Sequence, residues 1–128
     1  MPYFFASHSP VSDPQAASPS RMPEATLLHE LVQVSAARCS AAPALTHDGR
    51  TLAYAELDAA VTAFANGLLT AGLARGERVA IYLEKRFETV IASCGTSAAG
   101  GVFVPVNPVL KPEQVAYILQ DCGVSVLL

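Results

Sequence analysis

The residues best placed to do chemistry in this 128-residue sequence lie between Gly95 and Pro108, in the stretch GTSAAGGVFVPVNP. Gly95 and Gly100 have the spacing of the glycines in a phosphate loop, G-x-x-x-x-G-K-S/T. In such a loop backbone amides cradle nucleotide phosphates, the lysine reaches them and the hydroxyl holds magnesium. Here Gly101 and Val102 stand in the lysine and hydroxyl places, so the cation and the magnesium ligand are both missing. The order of elements is also inverted. Phosphates bind where a loop leads into a helix, because free N–H groups and the positive end of the helix dipole point at them. At Gly100 a helix is expected to end and a strand to begin, which turns carbonyls and the negative end outward. The expectation is a glycine-capped helix stop and a sharp turn into a strand, not a phosphate cradle.

The other reactive side chains are scattered. Cysteines fall at 39, 94 and 122, an odd number with no CxxC pair, each among small or apolar residues. That pattern predicts buried free thiols in a reducing compartment. A catalytic thiol needs a base, yet His8, His29 and His47 all precede residue 48 and are not grouped with a cysteine or as metal ligands. The adjacent cations Lys85 and Arg86 read as a solvated start of a helix. Asn107 is an exposed polar candidate after a strand, although a turn residue before Pro108 is its simpler role. No catalytic, cofactor-binding or metal-binding residue is assigned.

Composition narrows the classes further. Apolar residues make up 52% and charged residues 15%, with a net charge of −3, which suits one modest domain with a real core. An acidic balance gives no electrostatic case for nucleic acid or an anionic membrane as partner. No apolar run approaches the roughly 18 residues of a membrane span, and MPYFFASHSP lacks the basic start and long apolar core of a secretory signal. A cytoplasmic soluble protein is the working expectation.

The elements that position these residues follow from periodicity. Residues 1–23, with prolines at 2, 10, 14, 19 and 23 among Ser and Ala, cannot bury enough surface to offset their ordering entropy. They read as a disordered tail, with Met22 as an alternative start. Leu28, Leu31, Val32, Ser35 and Cys39 follow helical spacing. Asp48-Gly49 joins two short extended pieces between Ala44 and Ala53 as a tight hairpin. Tyr54, Leu57, Val61, Phe64, Ala65, Leu68 and Leu69 trace one face of a longer helix that Gly72 closes. Arg78–Leu83 reads as a buried strand, Phe87–Ala99 as a helix and Val102–Val106 as a second strand. Pro112 opens a helix with Val115, Ile118, Leu119 and Cys122 on one side, and Val124–Leu128 is a third strand. The fold class is therefore α/β, a partial parallel β-α-β sheet with helices on its faces, joined by right-handed crossovers and with strands covered on both sides.

Three runs in order, LAYAELDAAVTAFANGL, GERVAIYL and AAGGVFVPVNPVLKPEQVAYILQDCG, resemble the opening of AMP-forming acyl-CoA ligases. These belong to the adenylate-forming superfamily, with peptide-synthetase adenylation domains and luciferases. The resemblance runs from about Leu28 to Leu128, with Ala99–Pro108 its more specific part. Asn107-Pro108 followed by Leu110-Lys111-Pro112 leans towards stand-alone acyl-CoA ligases, since peptide-synthetase domains more often carry Leu-Asp at Val106-Asn107. The resemblance implies joining a carboxylic acid to ATP as an acyl-adenylate, with magnesium on the phosphates, followed by displacement of AMP by coenzyme A. The family's lysine loop, its aromatic-x-x-Thr-Glu and Thr-Gly-Asp segments, its hinge and its late catalytic lysine have no counterpart here, so no catalytic position carries over. The sequence also departs from the family at Ala53, where a Ser or Thr usually completes a capping box with the acid at Glu56.

The resemblance thus assigns residues 24–128 to the first part of an AMP-binding domain, stopping within a strand. Such a piece is expected to be marginally stable, catalytically silent and prone to self-association through the unpaired, uncharged VSVLL edge. ATP, magnesium and coenzyme A are cofactors of the longer family members, with a small carboxylic acid as substrate. The alternatives are one piece of a split ligase and a non-enzymatic α/β binding module using the loops after its parallel strands.

Overall fold

The computed structural model describes residues 24–128; the tail, Met22 and His8 lie outside the described residues. Nine elements follow in the expected order: α1 (Leu28–Arg38), β1 (Pro43–His47), β2 (Arg50–Ala53), α2 (Tyr54–Thr70), β3 (Arg78–Ile81), α3 (Phe87–Ala98), β4 (Val102–Pro105), α4 (Pro112–Asp121) and β5 (Val124–Leu127).

Acidic or amide side chains at the third helical position organise three of the helix starts. Glu30 Oε2 accepts from the amides of Thr26 (2.7 Å) and Leu27 (2.9 Å) and from the Thr26 hydroxyl (3.0 Å). The Leu27 amide, then that of Thr26, hold the Glu30 carboxyl below the usual range. The stabilisation of α1 from this group is therefore present above the ordinary carboxylate pKa and is lost as pH falls through the lowered one. Gln114 Oε1 accepts from the Lys111 amide at 3.0 Å, with Pro112 in the first turn of α4. At α2 the Ala53 amide donates to Glu56 Oε2 at 2.8 Å, but Ala53 has no oxygen to return the bond. Half of the reciprocal pair exists, as the departure at Ala53 implies.

β1 and β2 form an antiparallel hairpin in which His47 faces Arg50 across a two-residue turn. Asp48 and Gly49 both have positive φ, 48° and 75°, the conformation expected of Asp-Gly in a twisted hairpin. The second sheet is parallel, in the order β4-β3-β5. The chain moves outward from β3 to β4 through α3, then returns across β3 to β5 through α4.

The two faces of β3 sit in different cores. Val79 packs with Ala65 and Leu68 of α2, and with Leu73 and Ala99. Ala80, the next residue, packs with Val106 and with Val115 of α4. α2 and α3 therefore cover one face and α4 the other, with Val79 and Ala80 at 0% exposure. A third cluster of Val32, Leu57, Val61 and Cys94 seats α1 and the hairpin on the outer side of α2 and α3.

Several expectations are corrected. β3 ends at Ile81 rather than Leu83, although Tyr82 still donates to the Leu128 carbonyl at 2.9 Å. Full burial between the two layers holds for β3 only. β4 and β5 are edges of the described sheet, and Val102 and Leu127 are about half exposed. β5 does not keep one register: Arg78 pairs with Val124 but Val79 with Val126. The extra residue, Ser125, sends Val124 into the α4 core and Val126 into the α2 core. On α1 only Val32 is buried, while Leu31 is 56% exposed. Leu69 of α2 also faces outward, because a single layer of neighbours covers less than the whole apolar stripe.

Replacing Ala53 by Thr should supply the missing hydroxyl and stabilise the full chain by roughly 1 kcal/mol. A thermal melt compared with the parent tests this; an unchanged midpoint means that the Ala53 site does not limit the start of α2.

Candidate functional site

The glycine-rich turn is built from the end of α3. Gly100 has φ +79°, a left-handed conformation that a Cβ disfavours. Its amide donates to the Ser97 carbonyl at 3.1 Å, and the Gly101 amide reaches back to Thr96 at 2.9 Å. These two bonds close the last carbonyls of the helix. The same turn is tied sideways to the loop before β3: Gly76 donates to the Gly100 carbonyl at 2.9 Å, and Val102 to the Glu77 carbonyl at 2.8 Å. The amides of residues 100, 101 and 102 all have protein acceptors. Phosphate oxygens of a nucleotide do not fit here, because the donors are spent and the end of the helix dipole is negative.

Each remaining glycine of the stretch has a packing reason. A Cβ on Gly95 would lie 2.6 Å from Phe64 Cδ1 and 3.1 Å from the Val61 carbonyl, so Gly95 lets α3 approach α2. On Gly101 it would meet Leu73 and Thr96 at 3.0 Å and the Glu77 carbonyl at 3.2 Å. Thr96 itself is fully buried, and its hydroxyl finds no partner among the described residues.

Glu77 fastens the amino-terminal ends of the sheet. Its carboxylate accepts from the Ala74 amide at 2.7 Å and from the Ser125 hydroxyl at 3.2 Å. At the carboxyl ends, Asn107 Oδ1 accepts from the Val109 amide at 3.2 Å, which makes it a turn residue. Tyr82 Oη donates to the Leu110 carbonyl at 2.8 Å and anchors the same loop to β3. A hollow of about 370 Å³ lies beside β3 and β5, lined by Phe64, Leu83, Arg86, Glu88, Ile91, Ala92 and Leu128. Arg86 and Glu88 pair with one another at 2.9 Å on its rim.

The scattered reactive residues stay apart. Among the described residues no three His, Cys, Asp or Glu side chains gather to hold a metal ion. His29 Nδ1 lies 3.1 Å from Ser97 Oγ and ties α1 to α3. His47 meets the Phe87 ring edge-on with centroids 6.0 Å apart, while the Arg50 guanidinium sits 5.6 Å from the centre of that ring. Sequence reasoning missed both links, since their partners lie tens of residues apart and no local spacing announces them. The thiols are only partly as expected. Cys94 is buried, but Cys39, just beyond the last turn of α1, is exposed and Cys122 is intermediate. Burial pushes the Cys94 thiol pKa up, so its neutral form is favoured, and the stabilisation is lost as pH rises through the raised value.

With this geometry established, comparison with known proteins decides the family. A family profile described as AMP-binding enzyme matches residues 32–128, most of the chain. The chain belongs to the AMP-binding enzyme family. Surfactin synthase subunit 3 of Bacillus subtilis (strain 168) is 39% identical over 87 residues, covering 68% of this chain and 7% of that protein. The N-terminal subdomain of Klebsiella oxytoca NpsA, solved in complex with 3-hydroxyanthranilyl-AMSN, superposes with a TM-score of 0.75 at 28% identity. The match covers 79% of this chain and 26% of that one. The inhibitor-bound N-terminal domain of FACL13 from Mycobacterium tuberculosis gives a TM-score of 0.76 at 26% identity, with the same coverage. Against the curated relatives the chain spans from 1% to 18% of their length. The α/β sheet described above is thus the opening part of the N-terminal domain architecture of adenylate-forming enzymes, and homologues include both peptide synthetases and acyl-CoA synthetases.

Two outcomes follow for the turn and the thiols. Gly95→Ala should cost roughly 1–3 kcal/mol through overpacking against Phe64 and the Val61 carbonyl, and Gly100→Ala about 1–2 kcal/mol through backbone strain. Urea unfolding of the full chain measures both; a Gly95→Ala midpoint equal to the parent's contradicts the close helix approach. With a thiol reagent at neutral pH, Cys39 should label first and Cys94 only on unfolding. Equal rates for the two would show that Cys94 is not held in the core.

Proposed function

We propose that this chain is the scaffold-forming first part of an adenylate-forming enzyme that joins a small carboxylic acid to ATP, and that it contributes no reacting group itself. One observation carries the reading: the glycine turn lies within the region that matches the family, yet its amides are bound within the protein. The chemistry then belongs to segments that the longer relatives possess beyond the matched region. The outer edges of β4 and β5, unpaired among the described residues, are the places where further strands would join. The proposal includes self-association of the 128-residue chain through β5. Magnesium on the phosphates and a cytoplasmic setting belong to the same proposal.

The thiol that accepts the acyl group divides the proposal in two. Asn107-Pro108 and the following Leu110-Lys111-Pro112 support coenzyme A, and the likeness to a Mycobacterium tuberculosis fatty acyl CoA synthetase agrees with that. The relatives named as surfactin, plipastatin and phosphinothricin tripeptide synthases or synthetases support an adenylation domain of a peptide synthetase instead. The acyl-CoA ligase is the first reading, and the relatives add the peptide-synthetase domain as the second. In either case residues 24–128 occupy the same place in the domain.

A segment exchange tests the scaffold role. Residues 32–128 replace the matching segment of the K. oxytoca NpsA N-terminal subdomain within a complete adenylating enzyme, and acid-dependent ATP–pyrophosphate exchange is measured beside the 128-residue chain alone. The folded chimera should retain exchange with the acid preference of its host, and the chain alone should show none. A switched acid preference, or exchange by the chain alone, would overturn the proposal.

A further inference from the structure

We draw no further inference here: the strongest candidate, the apolar hollow at the carboxyl ends of β3 and β5 lined by Phe64, Leu83, Ile91 and Leu128, carries nothing because nothing in the structure shows what covers it and the charged pair on its rim, Arg86 and Glu88, is already satisfied within the chain.

Discussion

Closure of the α3 carboxyl end through Gly100 and Gly101 is the constraint on which the rest of the structure depends. A helix ending beside a parallel sheet leaves carbonyls without partners, and burial of those groups would be costly. Two backbone bonds from the glycine turn satisfy them, and the left-handed residue between them redirects the chain into β4. The same turn bonds to Gly76 and Glu77, so the register of β4 against β3 is set as α3 terminates. Small residues at 95 and 101 then permit α3 to sit close to α2 and to the loop before β3. A side chain at either position would push the layers apart.

That closure also separates the resemblance to a phosphate loop from its function. Glycines are chosen in both settings because the backbone must come close to something. In a phosphate loop the close neighbour is a ligand, and here it is the protein itself. Direction decides between them: amides at a helix start face outward and are free, whereas amides following a helix end fold back onto its carbonyls. A spacing rule that ignores the element on each side cannot tell these apart. The identity of residues 101 and 102 and the position of α3 do so together.

Much of the architecture was legible because its signals are local. The α2 stripe apart from Leu69, the Asp48-Gly49 turn, Pro112 at the start of α4 and the glycine stops are each fixed within a few residues, and the structure places them as read. Burial was less legible where it depends on remote neighbours. Val102 and Leu127 look like core residues in one dimension, yet they lie on the outer strands of the described sheet. Leu31 follows helical spacing but is more than half exposed, and Cys39 sits just past the end of α1 and is exposed. The bulge at Ser125 has no sequence mark, because a one-residue slip within VSVLL leaves the apolar pattern almost unchanged. At the candidate site, the helix stop at Gly100 was readable from the glycines and the apolar run that follows them. The ties from Glu77, His29 and Arg50 required the tertiary structure.

The most direct test of the central claim is backbone amide hydrogen exchange at Gly100, Gly101 and Val102, measured by NMR with and without ATP and magnesium. If these amides close the end of α3 and pair β4 with the sheet, they exchange as slowly as those inside the helix, and nucleotide leaves their rates and shifts unchanged. Rapid exchange without nucleotide, followed by protection and shift changes on adding it, would show that the turn holds phosphate after all.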